Sequence, residues 1–129
     1  MVTDTIGDLI IRIKNANSAG KESVVVYASK LKLAVLEALV RGGFIARVSK
    51  IKDGKFLEIV LKYDAEKHPR ISNVARVSKP SRRMYSKADE LKSFKNGYGA
   101  LILSTPAGIL SNKEAFKQKV GGEALFKIW

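Results

Sequence analysis

The spacing of apolar residues changes along this chain of 129 residues, and that change limits the folds it can adopt. One run near the N-terminus has apolar residues at intervals of three and four: Ile6, Leu9, Ile10 and Ile13. These intervals place side chains on one face of a helix. The run from Ser23 to Tyr27 is short and β-branched, which is typical of a strand. We therefore expect a mixed α/β (α+β) fold.

The first half of the chain reads as α-β-α-β-β. The predicted segments are a helix over 4–17, a strand over 23–27, a helix from the Ser29 cap to Gly42-Gly43 with Leu31, Val35 and Leu39 on its buried face, and strands over 44–50 and 56–63. Ser29 is a favourable N-cap, and paired glycines commonly end a helix. Asp53-Gly54 allows the positive φ angles of a tight hairpin turn between the two strands.

The second half is predicted to be mostly β with short helices. The predicted strands cover 71–78, 84–86, 100–104 and 123–129, and the predicted helices run over 88–95 and from Ser111 to Gly121-Gly122. Ser111 and Glu114 have the spacing of a capping box. The pattern turns polar after Asp64, so we expect two small subdomains, an N-terminal one over 1–64 and a C-terminal one over 65–129.

The charge balance favours a polyanionic partner. The chain has 24 Lys and Arg against 12 Asp and Glu, a net charge of +12 and a pI near 10.0. Lys and Arg that neutralise phosphates release condensed counterions, which drives nucleic-acid binding. Membrane surfaces are also anionic, so charge alone leaves both partners open. Most of the excess positive charge lies in residues 65–129, which contain 13 basic and 5 acidic residues.

Catalysis finds little support among the residues. Cysteine is absent and His68 is the only histidine, so neither a His-based triad nor a multi-His metal site can be built. No phosphate-binding glycine motif occurs. We therefore expect no enzyme activity, no metal and no cofactor. The acidic residues near the start and the absence of long apolar runs or cysteines favour a cytoplasmic protein.

Two segments of the second half are candidate nucleic-acid contacts. Residues 70–87 contain no Asp or Glu and six basic residues: Arg70, Arg76, Lys79, Arg82, Arg83 and Lys87. Within them, Tyr85 could stack on a base or ribose, since unpaired RNA bases are often bound by aromatic rings. The structural alternatives are a solvated charged turn and a half-buried tyrosine.

The second segment, residues 104–111, carries small hydroxyl and glycine residues that allow close approach to RNA: Ser104, Thr105, Gly108 and Ser111. An ordinary turn followed by a helix cap would explain the same residues. Lys30 and Lys32 lie at the start of the second predicted helix. They either form a phosphate site or belong to the solvent-facing side of that helix.

The ordered set of motifs resembles the S-eight family of bacterial small-subunit ribosomal proteins over essentially the whole chain. The residues that carry the resemblance are Asp8 to Ala16, Ala28 to Lys32, Gly43 to Ile45, Leu61 to Tyr63, Ser78 to Pro80, Arg83 to Tyr85, Gly97 to Gly99, Leu103 to Thr105, Gly108 to Ser111, and Gly121 to Trp129. Two positions differ from the family's pattern. Ser81 stands where members of the family usually have glycine, and Thr5 stands where many have proline.

The resemblance implies a primary binder of the central domain of small-subunit ribosomal RNA, which acts early in assembly through its C-terminal part. It implies RNA contacts at Ser104, Thr105, Gly108, Ser111, Tyr85 and Glu123. Glu123 would then accept from a base amino group or orient its neighbours, unless it is simply a charge at a strand edge. Neighbouring small-subunit proteins, notably the one numbered five, and the operon's own messenger RNA are further implied partners.

Two other classes of function stay open at this stage. A duplex-DNA protein would also use the net charge, but it needs a helix with exposed basic and amide residues to enter a groove. The helices predicted here face a core instead. A small enzyme would have to show activity in the absence of RNA.

Overall fold

The computed structural model describes residues 4–79, 81–88 and 99–129. Its elements, in chain order, are α1 (Thr5–Ser18), β1 (Ser23–Tyr27), α2 (Lys30–Arg41), β2 (Ile45–Ile51), β3 (Phe56–Leu61), β4 (Val74–Arg76), β5 (Tyr85–Ser86), β6 (Ala100–Thr105), β7 (Gly108–Ser111), α3 (Asn112–Gln118) and β8 (Gly122–Ile128). This mixture of helices and antiparallel strands confirms the predicted fold class and the α-β-α-β-β order of the first half.

Contacts within the chain separate two compact units. One is Leu9–Ser72, and the other joins Met1–Asp8 to Asn73–Trp129. We call them the first unit and the second unit. The subdomain boundary expected between residues 64 and 65 stays a prediction, and each unit is described by its own contacts.

The first unit contains an antiparallel sheet of three strands in the order β1-β3-β2. Helix α2 packs against β2 and begins where predicted, because the Ser29 hydroxyl accepts a hydrogen bond from Lys32 N at 3.1 Å. Val35 and Leu39 are fully buried, as predicted. Leu31 is not: it is 44% exposed, because the buried face of the helix begins only one turn later, at Val35.

The hairpin predicted around Asp53-Gly54 joins β2 to β3. Three successive residues, Lys52, Asp53 and Gly54, have φ angles of 51°, 58° and 80°. Gly54 N donates to Ile51 O at 3.1 Å, which closes the turn around two residues with positive φ, as in the tight turns that match strand twist. The turn therefore begins one residue earlier than the Asp-Gly dipeptide alone indicates.

The sheet of the second unit has the order β4-β8-β6-β7, and β5 also pairs with β8. Helix α3 packs on β6 and β7, where Leu103, Leu110 and Ala115 form a buried cluster. The capping box is confirmed, since Ser111 Oγ accepts from Glu114 N while Ser111 N donates to Glu114 Oε1.

Several predicted bounds in the second unit need correction. Helix α3 ends at Gln118 rather than at Gly121-Gly122, because Lys119 takes the left-handed conformation with φ 59°. Strand β4 is only Val74–Arg76, shorter than the predicted 71–78. The helix predicted over 88–95 lies outside the described residues apart from Ala88. Strand β7 was not predicted, since residues 104–111 were expected to form a polar turn.

Candidate nucleic-acid interface

Strand pairing in the second unit aligns three of the predicted contact residues. Ser104 on β6 pairs with Glu123 on β8, and Glu123 in turn pairs with Tyr85 on β5. Directly paired residues point to the same face of a sheet. The face opposite to this row carries Leu103 and Ala124, which are buried. We call Ser104, Glu123 and Tyr85 the polar row.

The polar row depends on two glycines at the start of β8. A methyl group added at Gly122 would overlap the backbone carbonyl oxygen of Ser104 and lie 3.0 Å from Thr105 Cα. A methyl group at Gly121 would overlap the carbonyl oxygen of Ser86. The glycine pair, predicted to stop a helix, therefore lets β8 approach the backbone on both sides. This role follows from pairing between distant strands and leaves no local sequence signal.

The residues after Ser104 form a hairpin rather than an open loop. Thr105 pairs with Gly108 across the turn, and the Thr105 hydroxyl donates to Gly108 O at 2.7 Å. The Thr105 hydroxyl oxygen also accepts a hydrogen bond from Ala107 N at 3.1 Å. Gly108 has φ 113°, a conformation that side chains rarely adopt, and open space surrounds it. The hairpin thus presents bare backbone at Gly108.

The three hydroxyl groups of this segment differ in what they can offer to RNA. The proton of Thr105 is used inside the hairpin, and the oxygen of Ser111 caps α3. Ser104 Oγ has no hydrogen-bond partner among residues 4–79, 81–88 and 99–129 and is partly exposed. Ser104 is therefore the hydroxyl of this segment best able both to donate and to accept.

Glu123 pairs with a neighbouring arginine. Arg83 Nη1 donates to Glu123 Oε2 at 3.1 Å, with the Arg83 side chain 51% exposed and the Glu123 side chain 19% exposed. The carboxylate therefore holds the guanidinium beside the polar row while much of that guanidinium stays in solvent. Of the two roles that the resemblance implied for Glu123, this geometry favours orienting a neighbour.

Ser78, which is not among the predicted contact residues, anchors the basic segment. It is fully buried, its Oγ accepts from Met84 N at 2.7 Å, and its own N–H donates to Ala124 O at 3.0 Å. Lys79 and Arg82 exchange two backbone hydrogen bonds, of 2.8 and 3.0 Å, just beyond it. The exposed side chains of Lys79 and Arg82 are thus carried by a fixed backbone beside β8.

Two of the six basic residues predicted to form a phosphate surface are used inside the protein. Arg76 makes a bidentate contact with Asp4, at 2.7 and 3.0 Å, and also donates to Leu125 O. Arg70 lies in the first unit, with its guanidinium 4.3 Å from the Phe44 ring centroid, and burial lowers its pKa. Arg70 and Arg76 are therefore not available for the predicted phosphate surface, which would be smaller than the sequence indicated.

Lys30 and Lys32 belong to the first unit. Lys30 is exposed at the start of α2, and Lys32 Nζ donates to the carbonyl oxygen of Tyr27 at 3.1 Å. Both ammonium groups keep hydrogen-bonding capacity for an anion.

The histidine, the potential metal ligands and the helices of the described part of the chain bear on other kinds of function. His68 Nδ1 lies 3.0 Å from Asp64 Oδ2 in an exposed loop. Within residues 4–79, 81–88 and 99–129, no group of three or more His, Cys, Asp or Glu residues is placed to hold a metal ion. No helix in those ranges combines the length and apolar character needed to cross a membrane.

Comparison with known proteins identifies the family. The family model described as ribosomal protein S8 matches residues 4–129. Three curated relatives are named small ribosomal subunit protein uS8. They come from Wolinella succinogenes, Nitratiruptor sp. and Kosmotoga olearia, with identities of 45%, 43% and 46% over the full length of both chains. Because the family model matches nearly the whole chain and these relatives align over their full length, the chain belongs to the ribosomal protein S8 family.

Proposed function

We propose that this protein is a structural constituent of the small ribosomal subunit without enzyme activity, and that it binds the central domain of small-subunit ribosomal RNA during assembly. The family membership and the names of the relatives support the ribosomal assignment. The single observation that carries the RNA site is the polar row, where Ser104, Glu123 and Tyr85 are aligned by strand pairing next to exposed basic residues.

Each group in this surface has a defined role in the proposed contact. Lys79 and Arg82 neutralise phosphates, which positions the RNA backbone without reading its sequence. Ser104 exchanges hydrogen bonds with a 2′-hydroxyl or a base edge, and Tyr85, 72% exposed, stacks on a base or ribose. Glu123 holds Arg83 in place by their ion pair. The second unit thus combines charge with close, uncharged contacts.

The hairpin contributes shape to the same contact. Thr105 keeps the turn closed through its two hydrogen bonds, so that Gly108 can present its backbone to the RNA. Ser111 holds the start of α3 behind the hairpin. In this proposal Thr105, Gly108 and Ser111 act mainly by fixing the surface, and Ser104 makes the polar contact.

The wider assignments follow from the family and stay predictions. We propose that the protein works in the cytoplasm on the ribosome, beside neighbouring small-subunit proteins that include the one numbered five. Binding to its own operon's messenger RNA is a further prediction. Lys30 and Lys32 are proposed as additional phosphate contacts from the first unit.

We expect Ser104→Ala to weaken binding to a folded fragment of the central-domain RNA about fivefold, because one hydrogen bond to RNA contributes about 1 kcal/mol. A filter-binding or gel-shift titration measures this effect. Urea unfolding should be unchanged, since the Ser104 hydroxyl has no partner within the described residues. Thr105→Ala is a poorer test because it also removes the hydrogen bonds that close the hairpin.

Ser49→Ala is the matched control for this experiment. Ser49 is an exposed strand serine in the first unit, on β2. It should bind the RNA fragment as tightly as the parent protein does. Equal affinity for Ser104→Ala and the parent would contradict the assigned role of Ser104. Equal affinity of the parent for the RNA fragment and for duplex DNA at physiological salt would contradict the proposed function itself.

Removing the phosphate contacts should change the salt dependence of binding. We expect Lys79→Ala and Arg82→Ala each to reduce the slope of log affinity against log salt by about 1, because each releases one fewer counterion. The measurement is a titration of the RNA fragment at four or more salt concentrations. Arg70→Met is the control, because its guanidinium packs over Phe44. A slope as steep as the parent's in both variants would exclude these two residues from the phosphate contact.

A further inference from the structure

An exposed aromatic pair lies in the first unit. Tyr27 ends β1 and is 72% exposed, although a tyrosine ring commonly buries much of its surface. Its ring centroid lies 4.9 Å from that of Phe56, with the two planes tilted by 30°. The pair therefore presents apolar aromatic surface to solvent.

Strand register fixes which face of the sheet this pair occupies. Tyr27 pairs with Phe56, and Phe56 pairs with Ile51, so the three share one face. The neighbouring residues Val26 and Leu57 point to the opposite face and are buried. The aromatic pair thus lies on the face of the sheet that is not in the core of this unit.

A lysine lies over one of the two rings. Lys52 Nζ lies 5.2 Å from the centroid of the Phe56 ring, within the range of a cation–π contact. Lys52 has φ 51°, a left-handed conformation that residues other than glycine adopt at only a few per cent of positions. The turn that imposes this conformation places a positive charge at the edge of the aromatic surface.

Further lysines lie in the two segments that meet at the pair. These segments, residues 27–33 and 50–57, contain one acidic residue, Asp53, and five lysines: Lys30, Lys32, Lys50, Lys52 and Lys55. They are joined by a hydrogen bond of 2.9 Å from Ala28 N to Lys55 O, and Lys32 Nζ donates to Tyr27 O at 3.1 Å. Lys50 pairs with Leu57 and therefore lies on the opposite face of the sheet, where it and Lys30 line a groove beside Leu57. Within the described residues, none of the five lysines forms a salt bridge.

We propose that this surface binds an unpaired segment of RNA, with one base stacked on Tyr27 and the adjacent phosphates on the lysines around it. We call Tyr27, Phe56, Lys32 and Lys52 the Tyr27 surface. Sites for single-stranded nucleic acid combine exposed aromatic rings with a positively charged path for the backbone. The inference deepens the proposed function by adding a second, single-stranded RNA contact in the other unit.

The charge of the surface favours RNA over a protein as the occupant. A docking surface for another protein is usually depleted of lysine, whose ammonium group is costly to desolvate. The lysines beside Tyr27 and Phe56, in segments that contain one carboxylate, suit a chain that carries a phosphate at every nucleotide. Stacking tolerates any base, so the Tyr27 surface selects an unpaired strand rather than a sequence.

The test uses the full-length protein and a single-stranded RNA of seven adenosines with 2-aminopurine at its centre. Stacking on an aromatic ring quenches the fluorescence of 2-aminopurine. We expect Tyr27→Leu to raise the Kd about tenfold and to remove most of the quenching, because one stacked base is lost. Tyr27→Trp should restore both, and Lys52→Gln should mainly flatten the salt dependence.

Phe116→Leu is the matched control, because Phe116 is an aromatic residue that is 50% exposed and lies on α3 in the second unit. It should leave the quenching of this probe unchanged. Unchanged quenching in Tyr27→Leu, or its loss in Phe116→Leu alone, would overturn the proposal. The proposal would also be overturned if Tyr27→Leu bound the probe normally but failed to bind a ribosomal protein, because the occupant of the surface would then be a protein. The effect of Ser104→Ala on the folded RNA fragment reports on the proposed function separately.

Discussion

Gly122→Ala is expected to lower the free energy of unfolding by about 3 kcal/mol, at the upper end of the usual cost of overpacking. The added methyl group would overlap the carbonyl oxygen of Ser104 and press on Thr105 Cα. Both are backbone atoms, so no side chain can rotate out of the way, and β8 must move away from β6. Thermal or urea unfolding measures the loss, which corresponds to a fall in Tm of about 10 °C.

The same variant should bind RNA more weakly than Ser104→Ala does. Moving β8 separates Glu123 from Ser104 and displaces Arg83, which Glu123 holds by an ion pair. Several contacts of the polar row are then misplaced together, whereas Ser104→Ala removes one. Titration of the central-domain RNA fragment under conditions where the variant stays folded tests this expectation.

Gly20→Ala is the control for this substitution. Gly20 has φ 77° and nothing within 4 Å of an added methyl group. Alanine there adds backbone strain of about 1 kcal/mol without overlap. If Gly122→Ala were no more destabilising than Gly20→Ala, the close approach of β8 to β6 would not be the reason for glycine at position 122.

Periodicity was sufficient to predict most of the fold. The bounds of β1 were predicted residue for residue, and the Ser29 and Ser111 caps were confirmed, because these signals lie within a few residues of one another. The errors occurred where tertiary packing decides. Leu31 is exposed only because the buried face of α2 begins a turn later, and β7 forms because β6 offers it a partner.

The residue types at the candidate site were also readable from sequence, but their individual roles were not. Ser104 and Thr105 look alike in the sequence, yet the hydroxyl proton of Thr105 is used by Gly108 O, whereas Ser104 keeps its own. Glu123 and Arg83 are 40 residues apart, so their ion pair depends on strand pairing. The sequence predicts Ser78 only as the end of a strand. The structure shows it fully buried, with its Oγ accepting a hydrogen bond from Met84 N.

Arg76→Met is expected to destabilise the second unit by about 2 kcal/mol at pH 7, because three hydrogen bonds are lost. The Arg76 side chain is only 12% exposed, and it donates to both carboxylate oxygens of Asp4 and to Leu125 O. Methionine keeps the apolar stem but removes the arginine partner of the Asp4 carboxylate, which keeps the hydrogen bond of 3.0 Å from Gly7 N to Asp4 Oδ1. Because Asp4 is 33% exposed, water partly replaces the lost contact, which keeps the expected cost below that of a fully buried pair.

Asp4→Asn gives the pH dependence of the same ion pair. The hydrogen bond from Arg76 is the main reason that the pKa of Asp4 lies below its ordinary value of 3.8. A carboxylate with a lowered pKa in the folded state stabilises the protein above its unfolded pKa, and this stabilisation is lost as the pH falls through the folded pKa. The stability difference between the parent and Asp4→Asn should therefore be constant from pH 7 to about 5 and narrow below pH 4.

Urea unfolding of both proteins at pH 7, 5, 4 and 3 provides the measurement. Asp8→Asn is the matched control, since Asp8 is exposed in the first turn of α1, the helix that Asp4 directly precedes. Its small effect at a helix N-terminus should amount to a few tenths of a kcal/mol at pH 7. A difference between the parent and Asp4→Asn that stayed the same from pH 7 to pH 3 would show that the charge of Asp4 adds nothing to its contact with Arg76. The contact, made across 72 positions of sequence, would then stabilise the unit through neutral hydrogen bonds alone.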